Sequence, residues 1–351
     1  MKGRSALRQK DLIDDGPYAV YGASGIIGSM STFQNGARYV AVVKDGAGVG
    51  RANLCSARTS VLGTMQALIP TEMVLPEYLL HLIRAMRLGD GFSGSTIPHI
   101  YFKDYGQRLV RYVSMADQER IVGMLGSIED QIDILHQQNE RFDTLVKSRF
   151  VEMFGDGQWK RTALSEVADI QGGLTKSGKR DLLPLKLPYL RVANVLRGTL
   201  YLDEVLEIGL TAAECEKNLL VEGDLLFVEG NGSADQIGRC AVWDGSIAPC
   251  VHQNHLIRVR FDERVLPVYA LAYFNAHDGR EQIVARAVNT SGLFTLSTGK
   301  VKALQMPLPP LPLQQKFADF VNNVDKSRYI VQQKIEKLQT LYDSLAQEYF
   351  G

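Results

Sequence analysis

Two stretches of this chain carry the same long pattern, and that pattern limits the fold more than any other feature. Residues 115–155 read "MADQERIVGMLGSIEDQIDILHQQNERFDTLVKSRFVEMFG", and residues 310–351 read "PLPLQQKFADFVNNVDKSRYIVQQKIEKLQTLYDSLAQEYFG". At an offset of 196 residues Gln118 meets Gln314, Ile121 meets Phe317, Leu125 meets Val321 and Phe154-Gly155 meets Phe350-Gly351. In the first stretch Ile121, Leu125, Ile128, Ile132, Leu135, Asn139, Phe142 and Val146 alternate steps of 4 and 3. In the second, Phe317, Val321, Val324, Arg328, Val331, Ile335, Leu338, Tyr342, Leu345 and Tyr349 do the same. That is the 3.5-residue period of helices packing side by side. About 40 residues at ~1.5 Å per residue makes each a rod of ~60 Å. Two matching seams favour pairing with each other over two unrelated amphipathic helices. Asn139 and Arg328 break the apolar seam, as polar residues that fix register do.

The intervening segments repeat too. "KDLIDDGPYAVYGASG" from Lys10 is similar to "RDLLPLKLPYLRVANV" from Arg180, and "YVAVVKDGAGVGRANL" from Tyr39 to "LLFVEGNGSADQIGRCAV" from Leu225. "EYLLHLIRA" from Glu77 parallels "VYALAYFNA" from Val268, and "FSGSTIPHIYFKDYGQRLVR" from Phe92 parallels "TSGLFTLSTGKVKALQMPLP" from Thr290. The order is globular, rod, globular, rod, with boundaries at 1–112, 113–156, 157–311 and 312–351. The second copy opens with "WKRTALSEVADIQGG" from Trp159, whereas the first begins level with about Gln171. The expectation is that the first domain lacks an opening element or that its true start lies upstream.

The run "VVKDGAGVG" at Val42–Gly50 has the look of a phosphate-cradling loop. A dinucleotide or Walker loop needs a helix directly after its glycines. Here "RANLCSARTSVLGTMQAL" follows, polar and β-branched, which reads as loop and strand. The second copy, "EGNGSADQIGR", keeps only the final Gly-Arg. A strand-connecting loop flanked by Lys44 and Arg51 is the better reading. A nucleotide-binding enzyme using Gly46, Gly48 and Gly50 stays open as a rival, as does a coiled-coil scaffold whose domains read protein. His252 and His255 form HxxH without a glutamate between them, in a segment alternating into an apolar strand, so a metal site is not expected. No GxSxG and no Asn/Asp-Pro-Pro-aromatic tetrapeptide occurs. Cys55, Cys215, Cys240 and Cys250 show no CxxC spacing and read as reduced thiols of a cytosolic protein. The start lacks a signal-peptide h-region, and no run reaches the ~20 apolar residues of a membrane span.

Net charge is zero, with 39 basic and 39 acidic residues, yet it is unevenly placed. Residues 1–112 hold 13 basic and 8 acidic side chains, and residues 113–156 hold 4 and 9. Basic loop residues with polar or aromatic neighbours recur in both copies, a surface suited to phosphates.

Together "YAVYGASGIIG", "KDGAGVGRANL", "SVLGTMQAL", "SGSTIPHI" and the proline-led rod "PLPPLPLQQKFADFVNNVD" resemble the specificity subunit of type I restriction–modification systems. The resemblance covers nearly the whole chain, and its most specific element is the heptad rod after a globular domain, occurring twice. It implies two mixed α/β target-recognition domains, separated by two long helices pairing as an antiparallel coiled coil with an internal pseudo-two-fold repeat. It implies a non-catalytic cytoplasmic subunit that reads a split, asymmetric site on double-stranded DNA and docks two methyltransferase subunits. Those partners would hold S-adenosylmethionine and methylate adenine at N6, this chain holding no cofactor or metal, and a motor–nuclease subunit can be added. Carried over by position in the repeat, the DNA-contacting residues are Ser24, Lys44, Arg51, Ser93, Ser95, His99 and Lys103 in the first copy. In the second they are Lys179, Asn231, Gln236, Arg239, Asn289, Ser291 and Lys300. The implied seam is Ile121, Leu125, Ile128, Ile132, Leu135 and Phe142 against Phe317, Val321, Val324, Val331, Ile335 and Leu338.

Overall fold

The computed structural model describes residues 1–351 except 95, 156 and 158. It divides into two compact units: residues 1–138 with 330–351, and residues 139–329. Two 40-residue helices, Met115–Phe154 and Leu311–Phe350, each give one half to each unit.

In the first unit, strand Tyr39–Val43 lies between Ala52–Cys55 and Met65–Leu68, antiparallel to both. All five of its residues are buried, so it reads as an unbroken apolar run rather than an alternation. Val40 and Val42 face Leu80 and Ile83 of helix Pro76–Ala85. Tyr39, Ala41 and Val43 face the other way, toward Val61 and Tyr21. These last two belong to a second sheet, in which Tyr18–Gly22 pairs antiparallel with Gly25–Met30 and parallel with Ser60–Val61.

The second unit repeats this wiring. Leu225–Val228 lies between Cys240–Val242 and Leu256–Phe261, again antiparallel to both. Leu185–Leu190 pairs antiparallel with Leu206–Leu210 and parallel with Val251–His252. Helix Pro267–Asn275 takes the place of Pro76–Ala85. The copies differ at one edge. In the second unit a full strand, Ala168–Gly172, pairs with Leu256–Phe261, and Arg161–Ala163 pairs with Gln305–Pro307. In the first unit a single bridge, Lys2 to Leu68, occupies the matching edge.

Both helices pair antiparallel within each unit. In the second, Phe150 packs on Phe317 while Asn139 meets Arg328. In the first, Arg120 lies over Tyr349, and Glu129 shares a cavity wall with Gln339 and Tyr342. Every seam position is buried or half-buried, whereas Ile134, Leu145, Ile330 and Leu341, off the seam, are exposed. The two polar interruptions of the seam meet: the Arg328 guanidinium donates to the Asn139 carbonyl (3.3 Å) and pairs with Asp143 at 3.0 Å.

Each domain is latched to its helix by a buried glutamine. Gln118 accepts from Leu75 N (2.9 Å) and donates to the Met73 and Val113 carbonyls. Gln314 accepts from Leu266 N (2.9 Å) and donates to the Arg264 and Pro309 carbonyls. A tyrosine then meets the far end of the other helix: Tyr78 packs at a steep tilt against Phe350, and Tyr269 edge-on against Phe154. In Gln314→Leu, three main-chain groups, one buried and two partly buried, lose their partner, at a cost of about 1–3 kcal/mol. The urea midpoint of the intact chain should fall accordingly; an unchanged midpoint means that water replaces the latch.

Candidate nucleic-acid interface

In the first unit the Gly-rich segment is a tight turn joining Tyr39–Val43 to Ala52–Cys55. Val43 and the residues closing the turn exchange hydrogen bonds, Val43 N to Arg51 O and Gly50 N to Val43 O, both 2.8 Å. A strand follows Gly50, as the polar, β-branched sequence indicates, so the glycines meet no helix N-terminus. Gly50 has φ +85°, and a Cβ there would lie 2.2 Å from Gly89 N, so the turn closes only with glycine. Arg51 folds back on its own turn, donating to the Ala47 (3.2 Å) and Gly48 (3.3 Å) carbonyls.

A second segment packs against this turn. Gly46 N donates to Pro98 O and Ile100 N to Lys44 O, both 2.9 Å. Ser93 and His99 exchange main-chain hydrogen bonds of 2.8 Å in each direction, and His99 Nδ1 bonds the Asp45 carboxylate. The His99 and Tyr101 rings lie 4.0 Å apart, and Lys103 Nζ sits 5.2 Å over Tyr101. Thus Lys44, Arg51, Ser93, His99 and Lys103 come together around one turn. Ser24 lies elsewhere, exposed in the turn between Tyr18–Gly22 and Gly25–Met30. Ser95 falls outside the described residues.

The matching turn of the second unit, residues 229–239, is extended by a hairpin. Asn231 pairs with Phe294 of strand Leu293–Thr295, which also pairs with Val288–Thr290. Ser291 (φ 51°) and Gly292 (φ 83°) form its two-residue tip, both left-handed as a primed hairpin turn requires. Asn289 Oδ1 accepts from Gly292 N (3.2 Å), pinning the tip. One three-stranded sheet therefore gathers Asn231, Asn289 and Ser291, with Gln236 on the turn beside it. Arg239 points inward: Nε donates to Val195 O (2.6 Å) and an Nη to Val192 O (2.9 Å). Burial, and Arg197 nearby, lower its pKa. Lys300 starts on helix Thr298–Lys302, its N–H bonded to the Ser297 hydroxyl, and Lys179 is exposed on the 3-10 turn Gly178–Leu182.

Two arginines beside the second turn were not marked by the sequence: Arg197 pairs with the Asp235 carboxylate at 3.3 Å, and Arg280 donates to the Asp235 carbonyl at 2.9 Å. Neither has a basic counterpart in the first copy, so the repeat gives no signal for them. His252 is fully buried with Nδ1 on Leu256 O, and burial pushes its pKa down to about 4. His255 faces Glu229 instead (3.1 Å), so the HxxH pair points at no common centre. Among the described residues no group of side chains has metal-binding geometry, and no helix is long and apolar enough to cross a membrane. A cavity of about 440 Å³ in the first unit is lined by Arg84, Arg87, Glu129, Tyr342 and Asp343, between the end of helix Pro76–Ala85 and the two long helices. What the turns offer is hydrogen-bonding side chains and cations on a β framework.

Residues 157–340 match the family described as the type I restriction modification DNA specificity domain. The chain belongs to that family. It is 22% identical over 284 residues to the type I restriction enzyme EcoKI specificity subunit of Escherichia coli K12, covering 73% of this chain and 59% of that one. It is 23% identical over 307 residues to the StySPI specificity subunit of Salmonella potsdam, covering 80% and 65%. The chain thus spans less than two thirds of the length of these two relatives. A crystal structure of the type I S subunit from M. genitalium aligns over 100% of this chain and 93% of its own, with 16% identity and a TM-score of 0.52. A structure from work on complex assembly and conformational transition of the type I R-M system aligns over 95% and 90%, with 15% identity and a TM-score of 0.58. These likenesses establish the specificity-subunit fold: mixed α/β domains with long central and C-terminal helices.

One ion pair stiffens the second specificity domain beside Lys179. Arg180 clasps Glu214 with two bonds, 2.8 and 3.1 Å, and also donates to the Gly209 carbonyl. Arg180, with help from Thr211, holds the Glu214 carboxyl down at about 2. A depressed carboxyl contributes stability that is fully present above its unfolded value and lost as pH falls through the folded one. Glu214→Gln should therefore be less stable than the parent at pH 7. The gap should close between about pH 4.5 and about pH 2, read by thermal unfolding across pH.

Proposed function

We propose that the chain is the DNA sequence-recognition subunit of a type I restriction–modification complex, and that it carries no catalytic group of its own. Residues 1–112 and 157–311 are its two target-recognition domains, and residues 113–156 and 312–351 its helical spacers. One observation carries the reading: in a member of the specificity family, the same sheet wiring occurs twice, each time presenting a differently built polar turn. The first turn offers Lys44, Ser93, His99 and Lys103; the second adds the hairpin with Asn231, Asn289 and Ser291. Cations at the turns would meet phosphates and the polar side chains base edges. Since the turns differ, the two half-sites differ, and the target is bipartite and asymmetric.

In this reading the helices set the spacing of the half-sites and dock two methyltransferase subunits. Those would bring S-adenosylmethionine and act on adenine N6, and a motor–nuclease subunit can join them. The complex works in the cytoplasm, where its DNA is. A nucleotide-binding role is disfavoured by the strand after Gly50 and by Arg51 lying on the carbonyls of its own turn.

Inserting seven residues into each helix keeps the seam and lengthens it by ~10.5 Å. At ~3.4 Å per base pair, the unread gap of the target should widen by up to ~3 base pairs. Mapping methylated adenines in cells carrying the lengthened subunit checks this, and an unchanged gap sinks the spacing role. With zero net charge, the isolated subunit should bind DNA weakly and with a shallow salt dependence, its partners adding phosphate contacts. Tight, sequence-specific binding by the subunit alone, in a salt titration, contradicts that division of labour.

A further inference from the structure

In the second unit the turn at residues 229–239 is built around one carboxylate held by cations. The Asp235 side chain is 77% exposed, yet all three oxygens of the residue are engaged. Arg197 pairs with Oδ1 at 3.3 Å, and the Gln236 amide donates to Oδ2 at 2.7 Å. The Asp235 carbonyl accepts from Arg197 and from Arg280, the latter at 2.9 Å. Arg239 closes the turn from inside, on the carbonyls of Val195 and Val192. Three guanidinium groups thus gather around one carboxylate. Burial, and then the nearby Arg197, lower the pKa of both Arg239 and Arg280, as happens when cations crowd together. Arg280 Nη1 is buried and has no hydrogen-bond partner among the described residues. From Gln282 to Leu308, the stretch that forms the adjoining hairpin, the chain holds Arg286, Lys300 and Lys302 and no acidic residue. A half-buried cluster of cations with a single anion is short of negative charge.

We propose that the Asp235 carboxylate is an internal stand-in for a DNA backbone phosphate, which displaces it from Arg197 and Gln236 when the second domain meets a duplex; this rests on the DNA-reading role proposed above. A phosphate offers what the carboxylate offers, oxygens for a guanidinium and an amide, and it brings the negative charge that the cluster lacks. The exchange costs little, because an exposed ion pair such as Arg197–Asp235 is weak. The donors lie on the turn beside the hairpin that carries Asn231, Asn289 and Ser291. An anion arriving there together with base edges is the phosphate of the same duplex. Asp235 therefore keeps the clamp occupied until DNA is present, and it lowers the affinity for DNA by competing for the same donors.

The test uses the full chain and a fluorescent duplex of mixed sequence, with binding followed by anisotropy across a salt titration from low salt. Asp235→Asn should tighten binding by about twofold to fivefold, the worth of the exposed pair that the phosphate no longer has to break. Glu263→Gln makes the same charge change beyond the far end of strand Leu256–Phe261, whose start pairs with Val228 just before the turn, and should leave affinity unchanged. Arg197→Gln should weaken binding and flatten the plot of log Kd against log salt by about 0.9, the loss of one phosphate contact. In the Arg197→Gln chain, Asp235→Asn should no longer tighten binding, since the two side chains act through one contact. Inorganic phosphate should compete no better than chloride at equal ionic strength. The proposal is overturned if Asp235→Asn does not tighten binding, or if Glu263→Gln tightens it equally. It is also overturned if Asp235→Asn acts as strongly without Arg197, if Arg197→Gln keeps the parent's salt slope, or if inorganic phosphate displaces the duplex. Any of these in a parent chain that binds the duplex leaves the DNA-reading role standing, whereas a parent that binds no duplex in low salt overturns both.

Discussion

Antiparallel pairing of the two long helices is the constraint on which both units depend. When two helices run in opposite directions, the start of each lies beside the end of the other. Every globular domain is thus anchored by two segments far apart in sequence. The first domain holds Ile121, Leu125 and Ile128 from its own helix together with Tyr342 and Ala346 from the other. The second holds Phe317 from its own helix together with Phe150 and Phe154 from the first. Truncating one of these aromatics would cost about 3–5 kcal/mol, a large part of a domain's margin. The buried glutamines add direction to this apolar contact, because each fixes the chain just ahead of its domain's short helix to the start of its long one.

On that frame the two domains diverge where chemistry is needed. The central strands, Tyr39–Val43 and Leu225–Val228, are buried throughout and interchangeable in role. The turns that leave them are not. One closes on a glycine against Gly89 and is buttressed by the His99 segment; the other opens into a hairpin with a left-handed tip. A rigid sheet with variable turns suits a reader of sequence, since the turn residues can change without disturbing the core.

Much of this was legible beforehand. The seam could be read because burial along a helix repeats every 3.5 residues, and its two polar breaks, Asn139 and Arg328, turned out to touch each other. The strand after Gly50 was legible from its β-branched, polar character. Individual side-chain directions were not. Arg51 and Arg239 look alike in sequence to free surface cations, yet their guanidinium groups bond to carbonyls of nearby turns. Arg197 and Arg280, which gather at Asp235, lie 83 positions apart in the chain and share no motif.

The sequence by itself determined the repeat, the two heptad helices, the unbroken apolar central strands and the absence of a helix behind the glycine turn. These follow from periodicity and local propensity, which act over a few residues. Only the tertiary structure decided which helix end closes each domain and that His99 and Lys103 sit beside the Lys44 turn. Those outcomes depend on contacts between distant segments, whose free energy comes from burial and hydrogen bonding once the chain has folded.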